Sequence, residues 1–168
     1  LLVGKHRLLT VVGGGSGTLS LAIADRQPEL HATIMDLEQV CTLGQKRIDE
    51  HGLEARVRTC PGDMFSPGWP EGHDALLFGN VFHDWEARRC KQLAWLAFDA
   101  LPSGGKVMLH EMPLDEDRAG PLTVACFSVS MLMHERGKQY TLSELKGFLE
   151  EAGFVDIEAH HSFAYYWI

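Results

Sequence analysis

The chain has 168 residues, 45% of them apolar, and a formal net charge of −8. That length and composition fit one domain around one sizeable core, and the acidic balance argues against a nucleic-acid backbone as partner. No run of about 18 apolar residues is present to cross a membrane, and no signal peptide is read at the start, so a membrane partner is not expected.

Cys41, Cys60, Cys90 and Cys126 stand far apart without a C-x-x-C pair. They read as reduced, mostly buried thiols of a cytoplasmic protein. The chain begins at Leu1 rather than Met and reaches its first apolar run within ten residues, the pattern of a domain excised from a longer protein.

In chain order, the first strand is expected at about Leu8–Val12, followed by a helix over about Ser16–Arg26 and a second strand at His31–Asp36. A helix over about Leu37–His51 closes at Gly52 as its C-terminal cap. Ala55–Thr59 is the third strand and Asp74–Phe78 the fourth, apolar through its centre as a buried parallel strand should be. From Trp85 to Leu101, Cys90, Leu93, Ala94, Ala97, Phe98 and Leu101 share one helical face. After the break Pro102-Ser-Gly-Gly105 comes a fifth strand, Lys106–Glu111, and then a helix over about Pro121–His134. Thr141-Leu-Ser-Glu144 is a capping box opening a helix that ends at Gly153. Val155–His160 and Phe163–Ile168 are expected to pair as a hairpin. The order gives an α/β fold: a doubly wound, mostly parallel sheet with one antiparallel edge strand. Ligands in such sheets bind at the carboxyl ends of the strands.

The polar clusters fall at those ends. Leu8–Val12 runs into Gly13-Gly-Gly-Ser-Gly17, and Asp36 ends the second strand twenty-one residues after Gly15. Strand, glycine turn, helix, strand and terminal acid read as a site for a nucleotide-type cofactor: the glycines let the backbone approach the ligand, and the acid accepts from ribose hydroxyls. The dinucleotide fingerprint needs glycine or alanine where Thr18 stands, which disfavours a nicotinamide-dependent oxidoreductase. A plainer alternative is a glycine-rich turn with no ligand. Asp63 and Met64, after the third strand, are placed to hold an adenine, against the alternative of a solvated turn.

Asn80-Val-Phe-His-Asp-Trp85 follows the fourth strand and Glu111 ends the fifth. His83 titrates near neutrality and can take a proton from a hydroxyl, with Glu111 to orient it and stabilise its cation. The blander reading makes His83 a hydrogen-bonded core histidine. Asp84 suits the N-cap of the following helix, and Trp85 suits packing. His134 reads as a helix C-terminal histidine, and Met131 and Met133 as core or pocket wall. His160 and His161 are adjacent on a strand and face opposite ways, so they form no ligand pair.

Together, Val12-Gly-Gly-Gly-Ser-Gly17, Met35-Asp-Leu37, Gly62-Asp-Met-Phe65, Phe82-His-Asp-Trp85, Pro102-Ser-Gly-Gly105 before Glu111, and Gly137-Lys-Gln-Tyr-Thr141 resemble a known family. They look like the catalytic domain of the S-adenosylmethionine-dependent O-methyltransferases of the plant caffeate and bacterial antibiotic-tailoring type. The resemblance runs from Val11 to Gly153 and implies the Rossmann-like class I methyltransferase fold. It implies S-adenosylmethionine as cofactor, held by Gly13, Gly15, Gly17, Asp36, Leu37, Asp63, Met64 and Asn80. It further implies His83 as general base with Glu111 beside it, and a small aromatic or natural-product hydroxyl as acceptor. The family's helical N-terminal domain, which dimerises and walls the acceptor pocket, is not among these residues. The resemblance therefore implies a part of a longer chain, or a homodimer formed through that domain. Where the plant enzymes carry a second acid this chain has Gln139, and where they carry a lysine it has Gly79-Asn80.

Some relatives are iron-dependent methyltransferases acting on carbon next to a carbonyl. By that resemblance His83, Asp84 and His134 would bind iron or manganese as a Lewis acid. A non-catalytic cofactor-binding module is the remaining alternative.

Overall fold

The computed structural model describes residues 7–134 and 136–168, with only the backbone of His134. Five parallel strands stand in the order β3-β2-β1-β4-β5: β1 Leu8–Val12, β2 His31–Asp36, β3 Val57–Pro61, β4 Ala75–Gly79 and β5 Lys106–His110. The chain divides into two compact units. One holds the residues up to Gly79 with Ala100–Met108, and the other Asn80–Asp99 with Leu109–Ile168.

The first unit is built on β1, β2, β3 and β4, with α1 (Thr18–Arg26) and α2 (Glu38–His51) as connections. Leu9 pairs with Ala32 and Ala75, and Ala32 with Val57. Leu9, Val11, Val12, Ile34, Leu76, Leu77 and Phe78 are buried, which is why these strands read as near-continuous apolar runs and not as an alternation. Parallel register brings the carboxyl ends of β1, β2 and β3 to one edge. Arg56 Nη1 donates to the carbonyls of Ala24, Gln27 and Leu30 (2.9, 3.2 and 3.2 Å), closing the end of α1. The third and fourth strands begin later than expected, at Val57 and Ala75, because the apolar run does not mark which residue first meets a neighbour.

The second unit holds a 3-10 turn at Phe82–Asp84, α3 (Ala87–Ala100), α4 (Leu122–His134) and α5 (Leu142–Ala152), then β6 (His161–Phe163) and β7 (Tyr166–Trp167). In α3 the expected face is buried at Cys90, Leu93, Ala94 and Ala97, while Phe98 stands half out and packs edge-on against Phe154 at 5.2 Å. The capping box is present in both directions: Thr141 accepts from the Glu144 N–H and Glu144 accepts from the Thr141 N–H.

Two expectations are corrected. Val155–His160 is not a strand: Asp156 has a left-handed φ of 54° and Val155 is exposed, so the segment has neither extended backbone nor a buried face. The antiparallel element is a separate two-stranded sheet, joined to the end of the fifth strand by one bridge between Glu111 and Trp167. Asp84 does not cap α3, which starts at Ala87. Among the described residues no helix is long and apolar enough to cross a membrane.

Candidate active site

In the first unit β1 runs directly into the glycine loop. The N–H groups of Gly13 and Gly14 both donate to the Met35 carbonyl, at 2.9 and 3.3 Å. Gly15 has a φ of 59°, a conformation most side chains avoid, and a Cβ there would meet nothing within 4 Å. The loop thus offers bare backbone to open space. Gly17 serves packing instead: it stands at the N-cap of α1, and a Cβ would meet Ile34 Cδ1 at 2.7 Å.

Asp36 closes the loop from the end of β2. Its Oδ2 accepts from Gly15 N–H at 2.8 Å and its Oδ1 from Leu37 N–H at 2.8 Å. Each carboxylate oxygen has two acceptor directions, so Asp36 can hold the loop and still receive a diol. Leu37 is 56% exposed at the N-cap of α2, leaving an apolar surface beside that carboxylate. Asp63 ties up its own turn, accepting from Phe65 N–H at 2.9 Å and Ser66 Oγ at 3.4 Å. Met64 is half-buried, and its carbonyl accepts from Trp69 Nε1 at 3.2 Å.

In the second unit Asn80 is exposed, has a φ of 57°, and donates its N–H to the His110 carbonyl at 3.0 Å. His83 is 5% exposed and lies between two carboxylates. Its Nδ1 is 2.8 Å from Glu111 Oε2, a close contact lying off the line of the N–H and therefore an ion pair more than an aligned hydrogen bond. Its Nε2 is 3.3 Å from Asp84 Oδ1. The other oxygen of Glu111 accepts from the N–H groups of Val81 and Phe82, at 2.9 and 2.8 Å. Burial pulls the His83 pKa down, but the hydrogen bonds and charges of Asp84 and Glu111 outweigh it and push the pKa up to about 9.

The walls around His83 were not legible as functional. Phe127 of α4 meets the imidazole edge-on at 5.7 Å. The Cys90 thiol, pushed up to about 12 by burial, donates to the Phe82 carbonyl at 3.2 Å, and Tyr140 Oη donates to the Trp85 carbonyl at 2.7 Å. Gly137 lies so close that a Cβ on it would collide with the His83 carbonyl oxygen. Gln139 is buried and its N–H donates to Ser128 Oγ at 3.0 Å. Met131 is half-buried, while Met133 is 75% exposed and so is not core.

The metal reading finds no support among the described residues. Glu111 occupies the Nδ1 side of His83, and the expected pair, His83 Nε2 and Asp84 Oδ1, stands 3.3 Å apart with no third described ligand beside it. Among the described residues no group of three or more His, Cys, Asp or Glu side chains could hold a metal ion. The side chain of His134 lies outside the described residues.

A family model described as an O-methyltransferase domain matches residues 3–155. A 3-hydroxy-5-methyl-1-naphthoate 3-O-methyltransferase of Streptomyces sahachiroi is 36% identical over 156 residues, covering 93% of this chain and 45% of that protein. The crystal structure of an O-methyltransferase family 2 protein from Planctomyces limnophilus in complex with apigenin superposes with a TM-score of 0.91 at 29% identity, covering 96% of this chain and 49% of that one. Human N-acetylserotonin methyltransferase in complex with S-adenosylmethionine gives a TM-score of 0.89 at 28% identity, over 96% of this chain and 46% of that one. The chain thus spans about half the length of the proteins it matches.

Proposed function

We propose that this chain, which belongs to the O-methyltransferase domain family, is the catalytic domain of an S-adenosylmethionine-dependent enzyme that methylates a hydroxyl of a small aromatic molecule. The observation that carries this reading is the carboxylate-backed imidazole: His83 beside a Glu111 that two backbone N–H groups hold in place. The relatives support the acceptor class, one being named for a naphthoate hydroxyl and another bound to apigenin.

The fit of the cofactor rests on the first unit. The open side of Gly15 leaves room against the backbone for a ligand. The carboxylate of Asp36 accepts from the ribose diol while its backbone contacts keep the glycine loop in place. Gly13 and Gly17 shape that loop. Leu37 and Met64 supply apolar surface for the adenine and Asp63 a polar group beside it; Asn80 is a further candidate cofactor contact. When bound, S-adenosylmethionine supplies an electrophilic methyl group on a sulfonium sulfur.

His83 removes the proton. In the resting arrangement its Nε2 faces Asp84, whose side chain is 37% exposed and free to turn toward water. The acceptor hydroxyl takes that place at Nε2. Glu111, which stays beside the ring, still raises the imidazole above its ordinary basicity and brings it closer to that of a phenolate. Glu111 keeps the ring oriented and stabilises the imidazolium as it forms, as the third member of a triad does. The oxygen, stripped of its proton in place, would bond to the methyl carbon as that carbon's bond to the sulfonium sulfur breaks and S-adenosylhomocysteine leaves; alignment would supply much of the rate.

Calorimetric titration with S-adenosylhomocysteine tests the reading. The protein should bind it, and Asp36→Ala should weaken binding by about tenfold to a hundredfold, the worth of a hydrogen bond to a charged group. Absence of binding at millimolar ligand would overturn it.

A further inference from the structure

The glycine loop has one hydrogen bond of its own, from Gly17 N–H to the Gly14 carbonyl at 3.0 Å. Gly13, Gly15 and Gly17 all adopt positive φ (65°, 59° and 87°), and glycine has the most conformational freedom to lose on being ordered. The start of α1 adds no restraint, since Gly17 caps it without a side-chain hydrogen bond. Asp36 and the Met35 carbonyl hold the first half of the loop, through Gly15 N–H and the Gly13 and Gly14 N–H groups, and the restraint on its second half comes from α2. Arg47, half-buried on that helix, donates through one nitrogen, Nη1, to Ser16 Oγ at 2.9 Å and Thr18 Oγ1 at 2.8 Å. One guanidinium thus spans the loop from its fourth residue to the first residue of α1.

Gly44, one turn earlier on α2, makes this reach possible. A Cβ there would lie 3.3 Å from Thr59 Cγ2, a tight contact, and 3.6 Å from the Gly15 carbonyl oxygen, an ordinary one, so glycine keeps α2 close to both β3 and the loop. A glycine inside a helix costs stability relative to alanine, and close approach of α2 to the loop is what it provides here.

We propose that Arg47 is a positioning residue for the cofactor, holding the glycine loop in its ligand-ready shape before the ligand arrives. The proposal rests on the cofactor reading above. Asp36 touches both loop and ligand, whereas Arg47 acts through Ser16 and Thr18. Ordering the loop in advance removes an entropic cost from binding and leaves the methyl-transfer step alone. The signature of such a residue is a weaker cofactor constant with an unchanged turnover number.

The test uses the complete polypeptide and three variants: Arg47→Met, which keeps the apolar stem, Arg47→Lys, and Ser16→Ala, which removes one of the two bonded hydroxyls. Amide hydrogen exchange over residues 13–18 of the ligand-free protein is read first. S-adenosylhomocysteine titration and steady-state kinetics in S-adenosylmethionine follow. Exchange should quicken in Arg47→Met and less so in Ser16→Ala. Kd and cofactor KM should rise about tenfold in Arg47→Met, with kcat at saturating cofactor within about twofold of wild type. Arg47→Lys should recover part of the loss, since an ammonium can reach one hydroxyl but not both in the same geometry. Unchanged exchange in both Arg47→Met and Ser16→Ala overturns the proposal, as does a fall in kcat with KM unmoved. If the wild-type protein does not bind S-adenosylhomocysteine, the cofactor reading fails and exchange over residues 13–18 alone decides whether Arg47 holds the loop.

Discussion

Nδ1 of His83 lies 2.8 Å from Oε2 of Glu111, and the remaining oxygen of that carboxylate is taken by the N–H groups of Val81 and Phe82. The two backbone donors decide which way Glu111 can face, and through it which tautomer His83 adopts. Glu111 is the nearer and more buried of the two carboxylates, 2.8 Å from Nδ1 against 3.3 Å for Asp84 at Nε2, so once Asp84 turns to water the proton of neutral imidazole is held at Nδ1 and Nε2 is left to accept.

Glu111→Gln should therefore invert the tautomer. The amide oxygen of glutamine must serve Val81 and Phe82, so its NH2 group faces Nδ1 and drives the ring proton to Nε2. The base loses its acceptor while the fold stays intact. The turnover number should fall by roughly 10²- to 10⁴-fold, as for the wrong tautomer in a serine-protease triad, with S-adenosylhomocysteine binding unchanged. Nitrogen NMR of labelled imidazole reports the tautomer, and a turnover number within about threefold of wild type would deny Glu111 this role.

The pH dependence of activity and of stability should run in opposite directions. His83 is raised in the folded protein to about 9 from an ordinary 6.5. Proton binding thus favours the folded state: the contribution is full below about pH 6.5 and is lost as pH rises through about 9. The base, by contrast, works only when deprotonated, so kcat/KM should climb across the same interval and level off near its upper end. Comparing thermal midpoints of wild type and His83→Gln at the two ends isolates the histidine. The difference should shrink toward high pH, and a flat rate profile would count against His83 as the base.

Gly137→Ala should damage the site more than the fold. The added methyl meets the His83 carbonyl oxygen and the backbone carbon of Asp84, so the 3-10 turn must move. Overpacking of this kind costs about 1–3 kcal/mol, and misplacing a catalytic group by an ångström costs about a hundredfold in rate. Gly147→Ala is the matched control: a Cβ there meets nothing within 4 Å inside α5, so alanine should stabilise by up to about 1 kcal/mol and leave turnover alone. Equal turnover in the two variants would show that Gly137 does not set the position of His83.

Chelation should leave activity intact. Among the described residues no group of three or more His, Cys, Asp or Glu side chains gathers around His83 to hold an ion. Dialysis against EDTA should not lower kcat. A loss restored by iron or manganese, and not by magnesium, would return the Lewis-acid reading to the front.

Local chemistry carried much of this protein in its sequence. The apolar runs of β1 and β2, the glycine loop between them, the helix end at Gly52 and the Thr141–Glu144 capping box depend on periodicity, chirality and neighbours a few residues away, and each stands where the sequence places it. His83 and Glu111 were legible as candidates because their residue types suit proton transfer and each directly follows or ends a strand.

The tertiary structure decided what those residues do to one another. Val81 and Phe82 reach Glu111 across 30 and 29 positions, Arg47 reaches Ser16 and Thr18 across 31 and 29, and Asp84 turns to the neighbouring imidazole and not to a helix start. No local period encodes such contacts. They exist because close packing leaves each polar group only the partners that the fold brings within about 3 Å, and pairing most of them offsets the cost of burial. The same packing explains Gly44 and Gly137, whose lack of a side chain has meaning only against Thr59 and His83.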